Sequence, residues 1–260
     1  MVRAVPDILS RIASHKRAAL PALRARRDEL ERTAAGRAGY RDFRAALKAA
    51  RPAIIAEVKK ASPSKGTLVH NFDPAAIARQ YAAGGAAALS VLTDEEYFQG
   101  SLTDLEAARA AVAVPVLRKD FTLEEIHVIE AAAHGADAIL LIAALLEDRE
   151  LHDLRELAAR YRMAALVEVH DEAELESAVA SGAGIIGVNN RDLRTFEVTL
   201  ETSVRLAAKI PDGVVKVAES GIDSGEAVAR LKAAGFNAFL VGEHLMRAAE
   251  PKAALRALLS

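Results

Sequence analysis

The sequence has no cysteine and no tryptophan, and aromatic residues make up 4% of its 260 residues. Without cysteine the chain can form neither disulfides nor thiolate metal sites, and this composition favours the cytoplasm. No apolar run is long enough to span a membrane, and the segment from Met1 to Asp7 lacks the apolar core of a signal peptide. We therefore expect a cytoplasmic protein with no membrane partner.

The chain also lacks an excess of charge of either sign. Its 34 Lys and Arg residues stand against 36 Asp and Glu residues, and the net charge is -2. Because the two signs are interleaved, the surface has no general attraction for nucleic acid, and any anion site must be local. The sequence has no GxxxxGK[ST] loop, no GxGxxG segment after a strand and no HExxH motif. It therefore gives no support to a nucleotide, dinucleotide or zinc site.

From Ala53 onward, short apolar runs alternate with amphipathic, alanine-rich stretches, and this alternation predicts parallel βαβ units. The predicted strands are 53–58, 87–92, 114–117, 138–142, 164–169, 185–188, 214–218 and 238–241. The predicted helices are 74–83, 102–111, 123–134, 148–161, 172–181, 200–209, 224–234 and 243–259. Eight such units in about 200 residues predict an α/β fold, a single (β/α)8 TIM barrel.

Residues 1–48 do not fit this repeat and are predicted to form an N-terminal helical extension. Apolar residues recur there at helical spacing, which indicates two or three amphipathic helices: Ile8, Leu9, Ile12, Leu20, Leu23 and Leu30. We expect this extension to cap the barrel, with a lid that borders the active site as the alternative. The catalytic barrel domain is then expected to span residues 49–260.

The first predicted strand carries two charges that a fully covered parallel strand should not have. Such a strand is apolar in its middle because both faces pack and an unpaired buried charge is costly. Glu57 and Lys59 are two positions apart, so on an extended strand their side chains point to the same side and can pair. A structural ion pair is one explanation, and a functional site at the strand end is the other.

Polar or small residues follow five further strands at the same end, which in a barrel forms the active face. They are Lys119, Asp120 and Phe121, Glu168 and His170, Asn189 and Arg191, Glu219, Ser220 and Gly221, and Gly242 and Glu243. Each has a structural explanation taken alone, such as Lys119 and Asp120 forming a solvated turn pair. Their alignment favours one shared site. We assign no role to His170 or to His244.

Small residues stand after the last two strands, where backbone N–H groups can closely approach an anion. They are Ser220 and Gly221 after the seventh strand and Gly242 with Glu243 after the eighth. Barrels often bind phosphate at this corner. The sequence therefore predicts a phosphate site there.

Several segments resemble those of the indole-3-glycerol phosphate synthase family, and together they run across nearly the whole chain. They are residues 54–66, 92–95, 97–101, 116–121, 168–170, 187–193 and 218–222. The resemblance implies a carbon–carbon lyase of tryptophan biosynthesis. It would close the ring of 1-(o-carboxyphenylamino)-1-deoxyribulose 5-phosphate to give indole-3-glycerol phosphate, with loss of carbon dioxide and water. It also implies that neither a redox cofactor nor a metal is needed.

The resemblance further implies roles for single residues. Lys119 matches the general acid and Glu168 the carboxylate that assists proton transfer in dehydration. Lys59 matches a residue for acid catalysis or for holding the substrate. The polar positions that orient substrate hydroxyls or the catalytic lysines are Glu57, Asn189 and Glu219.

Other positions match residues that bind the substrate. Arg191 and Ser62 correspond to residues around the anthranilate carboxylate, which a guanidinium can hold with two hydrogen bonds. The phosphate corner matches Ser220, Gly221, Gly242 and Glu243, and the apolar contacts are Phe121, Leu140, Leu193 and Leu240. Because a carboxylate pointing at phosphate would repel it, we expect the Glu243 side chain to turn away and its backbone N–H to serve.

Two other functions fit part of this pattern. Another phosphosugar barrel, such as phosphoribosylanthranilate isomerase, would share the phosphate corner but does not account for Lys59, Lys119 and Glu168 together. A noncatalytic barrel that serves as a binding module would have no need of those three residues. The expected partner is a small phosphorylated substrate, with no nucleic acid. The expected assembly is a monomer, with association with other tryptophan-pathway enzymes as an open alternative.

Overall fold

The computed structural model describes residues 7–50 and 52–260. Residues 1–6, most of the segment compared above with a signal peptide, lie outside the described residues, and so does Arg51. In the described residues three helices precede the first strand: α1 (Asp7–Arg24), α2 (Arg27–Ala35) and α3 (Phe43–Ala49). No helix of the described residues is long and apolar enough to cross a membrane.

Ten strands follow within residues 52–260, and eight of them are parallel. The bounds of these eight are β1 (Ala53–Val58), β4 (Ala88–Leu92), β5 (Val116–Lys119), β6 (Ala138–Ile142), β7 (Ala164–Val169), β8 (Ile185–Asn189), β9 (Val215–Glu219) and β10 (Ala238–Val241). They close a barrel in the order β1-β10-β9-β8-β7-β6-β5-β4, with Ala53 opposite Ala238 where the first strand meets the last. A small antiparallel hairpin, β2 (Ala61–Ser62) and β3 (Gly66–Thr67), lies in the loop after β1. The predicted (β/α)8 barrel is confirmed.

Helices separate the parallel strands along the chain. They are α4 (Pro74–Gly84), α5 (Glu95–Phe98), α6 (Leu102–Ala111), α7 (Glu125–Ala133), α8 (Asp148–Arg160), α9 (Glu172–Ala180), α10 (Glu201–Ala207), α11 (Gly225–Ala233), α12 (Glu243–Arg247) and α13 (Pro251–Leu259), with a 3-10 helix at Ala143–Leu145. Gly85 follows α4 with a φ of 103°, a left-handed conformation that suits glycine at a helix end.

Several predicted bounds differ by one or two residues from the observed ones, and two elements differ for a clear physical reason. The helix predicted over 243–259 is two helices, because Ala248 is extended and Pro251, which lacks a backbone N–H, fits the first position of a new helix. The strand predicted over 114–117 runs two residues later, with Lys119 opposite Leu92 of β4. Pro115 precedes this strand and offers only its carbonyl, which accepts from Leu89 at 2.9 Å. The shift places Lys119 at the carboxyl end of β5.

The helices before the barrel contact it at several places. α3 packs against β1, β4 and β9, and its Phe43 and Leu47 are buried in the same apolar cluster as the inward-facing strand residues. α2 packs against α7. Leu9 and Ile12 of α1 also belong to the inner cluster. The helical extension therefore shares the apolar core of the barrel, and burial of this surface stabilises their association.

Candidate active site

A cavity of about 790 Å³ opens at the carboxyl ends of the strands. All the residues predicted to form the site line it: Glu57, Lys59, Ser62, Lys119, Phe121, Leu140, Glu168, Asn189, Arg191, Leu193, Glu219, Ser220, Gly221, Leu240, Gly242 and Glu243. They come together because parallel strands of a barrel end on one face. The volume is of the size that binds a small-molecule substrate.

Lys119 lies at the centre of the polar wall, between two buried carboxyl groups. Its Nζ is 2.9 Å from Oε2 of Glu168 and 3.6 Å from Oε2 of Glu219. Burial alone would lower the pKa of Lys119, but the charges of Glu168, Glu219 and Glu57 outweigh burial and raise it. Lys119 is therefore an ammonium at neutral pH and can donate a proton.

Glu168 has donors on both oxygens. Besides Lys119 on Oε2, its Oε1 accepts a hydrogen bond from Nδ2 of Asn189 at 3.1 Å. Burial would raise the pKa of Glu168, but Lys119 and the neighbouring His170 outweigh burial and lower it. Glu168 is therefore a carboxylate at neutral pH and can accept a proton.

Glu219 differs from Glu168 because it has fewer donors. Its Oε1 is buried and, among the residues the structure describes, has no hydrogen-bond partner. Burial, opposed by Lys119 and reinforced by the charges of Glu168 and Glu57, raises the pKa of Glu219 to about 8. Its side chain lies against Gly187 of β8, where an added Cβ would overlap Oε1. The site thus holds two carboxyl groups of opposite pKa shift, an arrangement typical of acid–base catalysis.

Glu57 and Lys59 form an ion pair on the cavity wall, and both side chains are largely shielded from solvent. The pair lies against Gly242, where an added Cβ would overlap Oε1 of Glu57. Sequence reasoning explained Gly242 by approach to phosphate. The structure adds a second reason for glycine there, which is room for this ion pair.

Asn189 contacts Glu168, and Arg191 contacts Asn189 in turn. Oδ1 of Asn189 accepts from the backbone N of Arg191 at 3.0 Å, so the amide orientation is fixed from both ends. Nη1 of Arg191 donates to the carbonyl of Phe196 at 3.2 Å. Within residues 7–50 and 52–260, Arg191 makes no ion pair, so its charge is open to an anion in the cavity.

The predicted phosphate corner has an unusual backbone. Ser220 and Gly221 both have positive φ, 65° and 75°, and Nδ2 of Asn190 holds the Ser220 carbonyl at 3.1 Å. On the other side of the corner, Oε1 of Glu243 lies 3.1 Å from Nε of Arg247 and 3.8 Å from Nζ of Lys65. These two cations offset the Glu243 charge. Its orientation away from a phosphate stays a prediction.

The apolar wall contains residues that sequence reasoning did not assign to the site. Ile8, Leu9 and Ile12 of α1 line the cavity together with the predicted Phe121 and Leu140. The helical spacing of these three residues was visible in the sequence. The sequence did not show that this face of α1 lines the cavity. Phe98, Phe196 and Val198 also line it.

A buried charge network behind Lys119 was also missed. Asp120 is no solvated turn residue: it is 3% exposed, and its carboxylate lies 2.7 Å from Nζ of Lys16 and 3.1 Å from Nη2 of Arg118. Burial would raise the pKa of Asp120, but Arg118 and Lys16 outweigh it and lower the pKa. Lys16 also lies 3.0 Å from Oδ2 of Asp94, which is 1% exposed. The two ion pairs of Lys16, with Asp94 and with Asp120, are here called the Lys16 clasp. They attach α1 to the loops after β4 and β5.

His170, which was given no role from the sequence, contacts Glu168 on the side away from the cavity. Its Nε2 lies 3.3 Å from Oε1 of Glu168 and its Nδ1 lies 2.9 Å from Oε2 of Glu174. The signal in the sequence was the spacing of Glu168 and His170, which on an extended chain places both side chains on one side. In the part of the chain that the structure describes, no group of three or more His, Asp or Glu residues could hold a metal.

The indole-3-glycerol phosphate synthase family model matches residues 9–258. The chain is 50% identical to the indole-3-glycerol phosphate synthase of Leptothrix cholodnii over 98% of this chain and 99% of that protein. It is 52% identical to the enzyme of the same name from Chromobacterium violaceum, over 97% of each chain. Thiamine phosphate pyrophosphorylase from Pyrococcus furiosus, a solved structure, has a TM-score of 0.63 at 16% identity, covering 84% of this chain and 96% of that one. This last likeness shows the fold alone.

Proposed function

The chain belongs to the indole-3-glycerol phosphate synthase family, decarboxylating lyases of tryptophan biosynthesis, and we propose that the charged groups around Lys119 carry out its reaction. That reaction closes the ring of 1-(o-carboxyphenylamino)-1-deoxyribulose 5-phosphate and releases carbon dioxide and water. Relatives of about 50% identity bear the synthase name, so the isomerase and the noncatalytic barrel are set aside. The observation that carries the residue assignment is the position of Lys119 between Glu168 and Glu219.

In the first step, the ring carbon that bears the carboxylate attacks the ketone carbon of the sugar chain. The new carbon–carbon bond takes its electron pair from the ring, and the ketone oxygen takes a proton from Lys119. Loss of carbon dioxide then returns the electron pair of the broken bond to the ring. Lys119 suits the first transfer because it is an ammonium whose Nζ reaches the cavity.

In the second step the new hydroxyl group leaves as water. It must take up one proton, and the neighbouring carbon must give up one, so the step needs an acid and a base. Glu168 is the proposed base because it is ionised and faces the same space as Lys119. Lys59 or Lys119 is the proposed donor, and Glu57 holds Lys59 in the cavity.

The remaining residues are proposed to bind the substrate. Arg191 would pair with the anthranilate carboxylate, with Ser62 on the same wall, because its guanidinium has no carboxylate partner among the described residues. Phe121, Leu140, Leu193 and Leu240 would hold the aromatic ring, since apolar surface favours a ring over water. The backbone N–H groups after Ser220 and Gly242 would bind the phosphate.

The test is turnover of the substrate, followed by indole fluorescence, by wild-type protein and by Lys119→Ala. This chain has no tryptophan, so the protein adds little indole background. We expect the variant to lose activity by at least about 100-fold, the usual scale of a general acid. Lys232→Ala, at an exposed position on α11, is the matched control and should keep full activity. Near-normal turnover by folded Lys119→Ala would exclude Lys119 as the acid.

We also propose a cytoplasmic monomer whose residues 1–48 extend a catalytic barrel of residues 49–260. The balanced charge and the absence of cysteine support the location, and the position of α1 to α3 before β1 supports the division. Light scattering during size-exclusion chromatography tests the assembly. A mass of twice the 27.6 kDa chain would contradict the monomer.

A further inference from the structure

His170 is clamped between two carboxylates, one inside the site and one outside it. It directly follows β7, whose last but one residue is Glu168. On one side Nε2 is 3.3 Å from Oε1 of Glu168. On the other, Oε2 of Glu174 lies 2.9 Å from Nδ1 and 2.8 Å from the backbone N of His170. The ring is 16% exposed and lies behind Glu168 rather than among the cavity-lining residues.

The two neighbours determine the protonation of the ring. Nδ1 carries a proton, because it lies within hydrogen-bond distance of Oε2 of Glu174 and an ionised carboxylate oxygen only accepts. Among the described residues Nε2 makes no hydrogen bond, but it lies 3.3 Å from Oε1 of Glu168, where the charge of a ring with two protons is favoured. A ring with both protons is an imidazolium. The pKa of His170 is consistent with an imidazolium ring. Burial lowers this pKa, but Glu168 and Glu174 outweigh burial and raise it to about 10. The other charged groups near this cluster are Lys119, paired with Glu168, and Glu219.

The clamp is anchored in a helix. Glu174 lies in the first turn of α9, where its backbone N donates to the N-cap residue Asp171 at 2.9 Å. α9 packs against β7, so the outer carboxylate is held at a fixed distance from the strand that carries Glu168. The support therefore runs from α9 through Glu174 and His170 to Glu168.

This support determines which oxygen of Glu168 faces the reacting groups. Oε1 receives Asn189 and contacts His170, whereas Oε2 faces Nζ of Lys119 at 2.9 Å. With Oε1 occupied, the carboxylate cannot rotate without losing both contacts. Oε2 is thus the oxygen available for proton transfer.

We propose that His170 is a positioning residue which, as an imidazolium clamped by Glu174, holds the Glu168 carboxylate with Oε2 toward Lys119. This inference rests on the proposed role of Glu168 as the base in dehydration. His170 touches Glu168 and not the substrate. Its loss should therefore reduce kcat more than it changes KM.

The test compares His170→Gln with His152→Gln, a matched change at an exposed position on α8. We expect kcat of His170→Gln to fall roughly 10- to 100-fold, the scale of one charge-assisted contact, with KM within about twofold. The acid limb of the kcat profile should move to higher pH, because loss of the cation raises the pKa of Glu168. Glu174→Gln should lower kcat by less, because the ring then loses only its outer contact. Unchanged kcat, or a lower kcat with an unmoved acid limb, would overturn the proposal.

A measurement on the wild-type protein keeps the proposal testable if these variants do not fold. Nitrogen-15 NMR of the histidine rings at mildly alkaline pH should show both nitrogens of His170 protonated. A single protonated nitrogen would refute the clamp. The NMR result does not depend on turnover, so a wild-type protein without synthase activity would refute the proposed function separately.

Discussion

The Lys16 clasp gives a sharp prediction about how α1 is attached. Lys16→Met keeps most of the aliphatic stem and removes the charge. The Lys16 side chain is 16% exposed, and its Nζ contacts Asp94 at 3.0 Å and Asp120 at 2.7 Å. Both acids are almost fully buried, so bulk water cannot solvate their carboxylates in place of the lost ammonium group. The change therefore removes two charge-assisted contacts from a buried site.

The magnitude follows from what each acid keeps. Asp120 retains Arg118 and the Thr93 hydroxyl, and Asp94 retains the backbone N of Tyr97 at 2.7 Å. Breaking a buried pair costs about 3–5 kcal/mol when nothing remains to compensate. Because both acids keep donors, we expect the free energy of unfolding to fall by about 2–3 kcal/mol. At this chain length, that corresponds to a Tm lower by about 4–12 °C.

Urea unfolding and thermal melts measure the loss, with Arg17→Met, an exposed position on the same helix, as the control. Since α1 carries Ile8, Leu9 and Ile12 on the cavity wall, KM should rise as the helix loosens, while the control keeps wild-type values. A stability change below about 0.5 kcal/mol, the usual range for surface substitutions, would show that the clasp does not hold α1.

Two further variants test the site. Because burial raises the pKa of Glu219 from 4.5 to about 8, Glu219 contributes stability below about pH 4.5 that is lost as pH rises through about 8. As the pH rises from about 4.5 to about 8, the free energy of unfolding of the wild type should therefore fall relative to that of Glu219→Gln, as measured by urea titrations. A difference that does not change with pH would contradict the raised pKa of Glu219. Arg191→Met should raise KM at least about tenfold, as expected when a carboxylate loses its guanidinium partner. Arg194→Met, on an exposed side chain, should leave KM unchanged, and equal KM values for the two variants would count against Arg191.

The sequence predicted the barrel and the end of it where the site lies. Apolar runs such as Ala138–Ile142 and Ala164–Val169 matched the strands residue for residue, because buried parallel strands leave a local signature. The break between α12 and α13 was also local, since Pro251 marks a helix start, yet the apolar spacing around it continued as in one helix.

Long-range contacts had no such signature. Lys16 meets Asp94 and Asp120 only because α1 folds across two loops of the barrel, and nothing near Lys16 in the sequence identifies those acids. Glu168 and His170 are close in sequence, but the outer partner Glu174 belongs to the next helix. The order of apolar and polar residues in the sequence indicated which residues share a strand end. The sequence pattern gave no indication of the residues outside the cavity, such as Lys16 and Glu174, that contact the residues at those strand ends.

The contact between Gly187 and Glu219 has a consequence for how this enzyme can change over evolutionary time. A methyl group at position 187 would overlap Oε1 of Glu219, so alanine there requires the Glu219 carboxyl group to move from its place beside Lys119. Gly242 and Glu57 are coupled in the same way. At both pairs the order of substitutions matters, because a route that begins at either glycine displaces a carboxyl group from the site. Glycine at positions 187 and 242 is therefore linked to the presence of glutamate on the neighbouring strand.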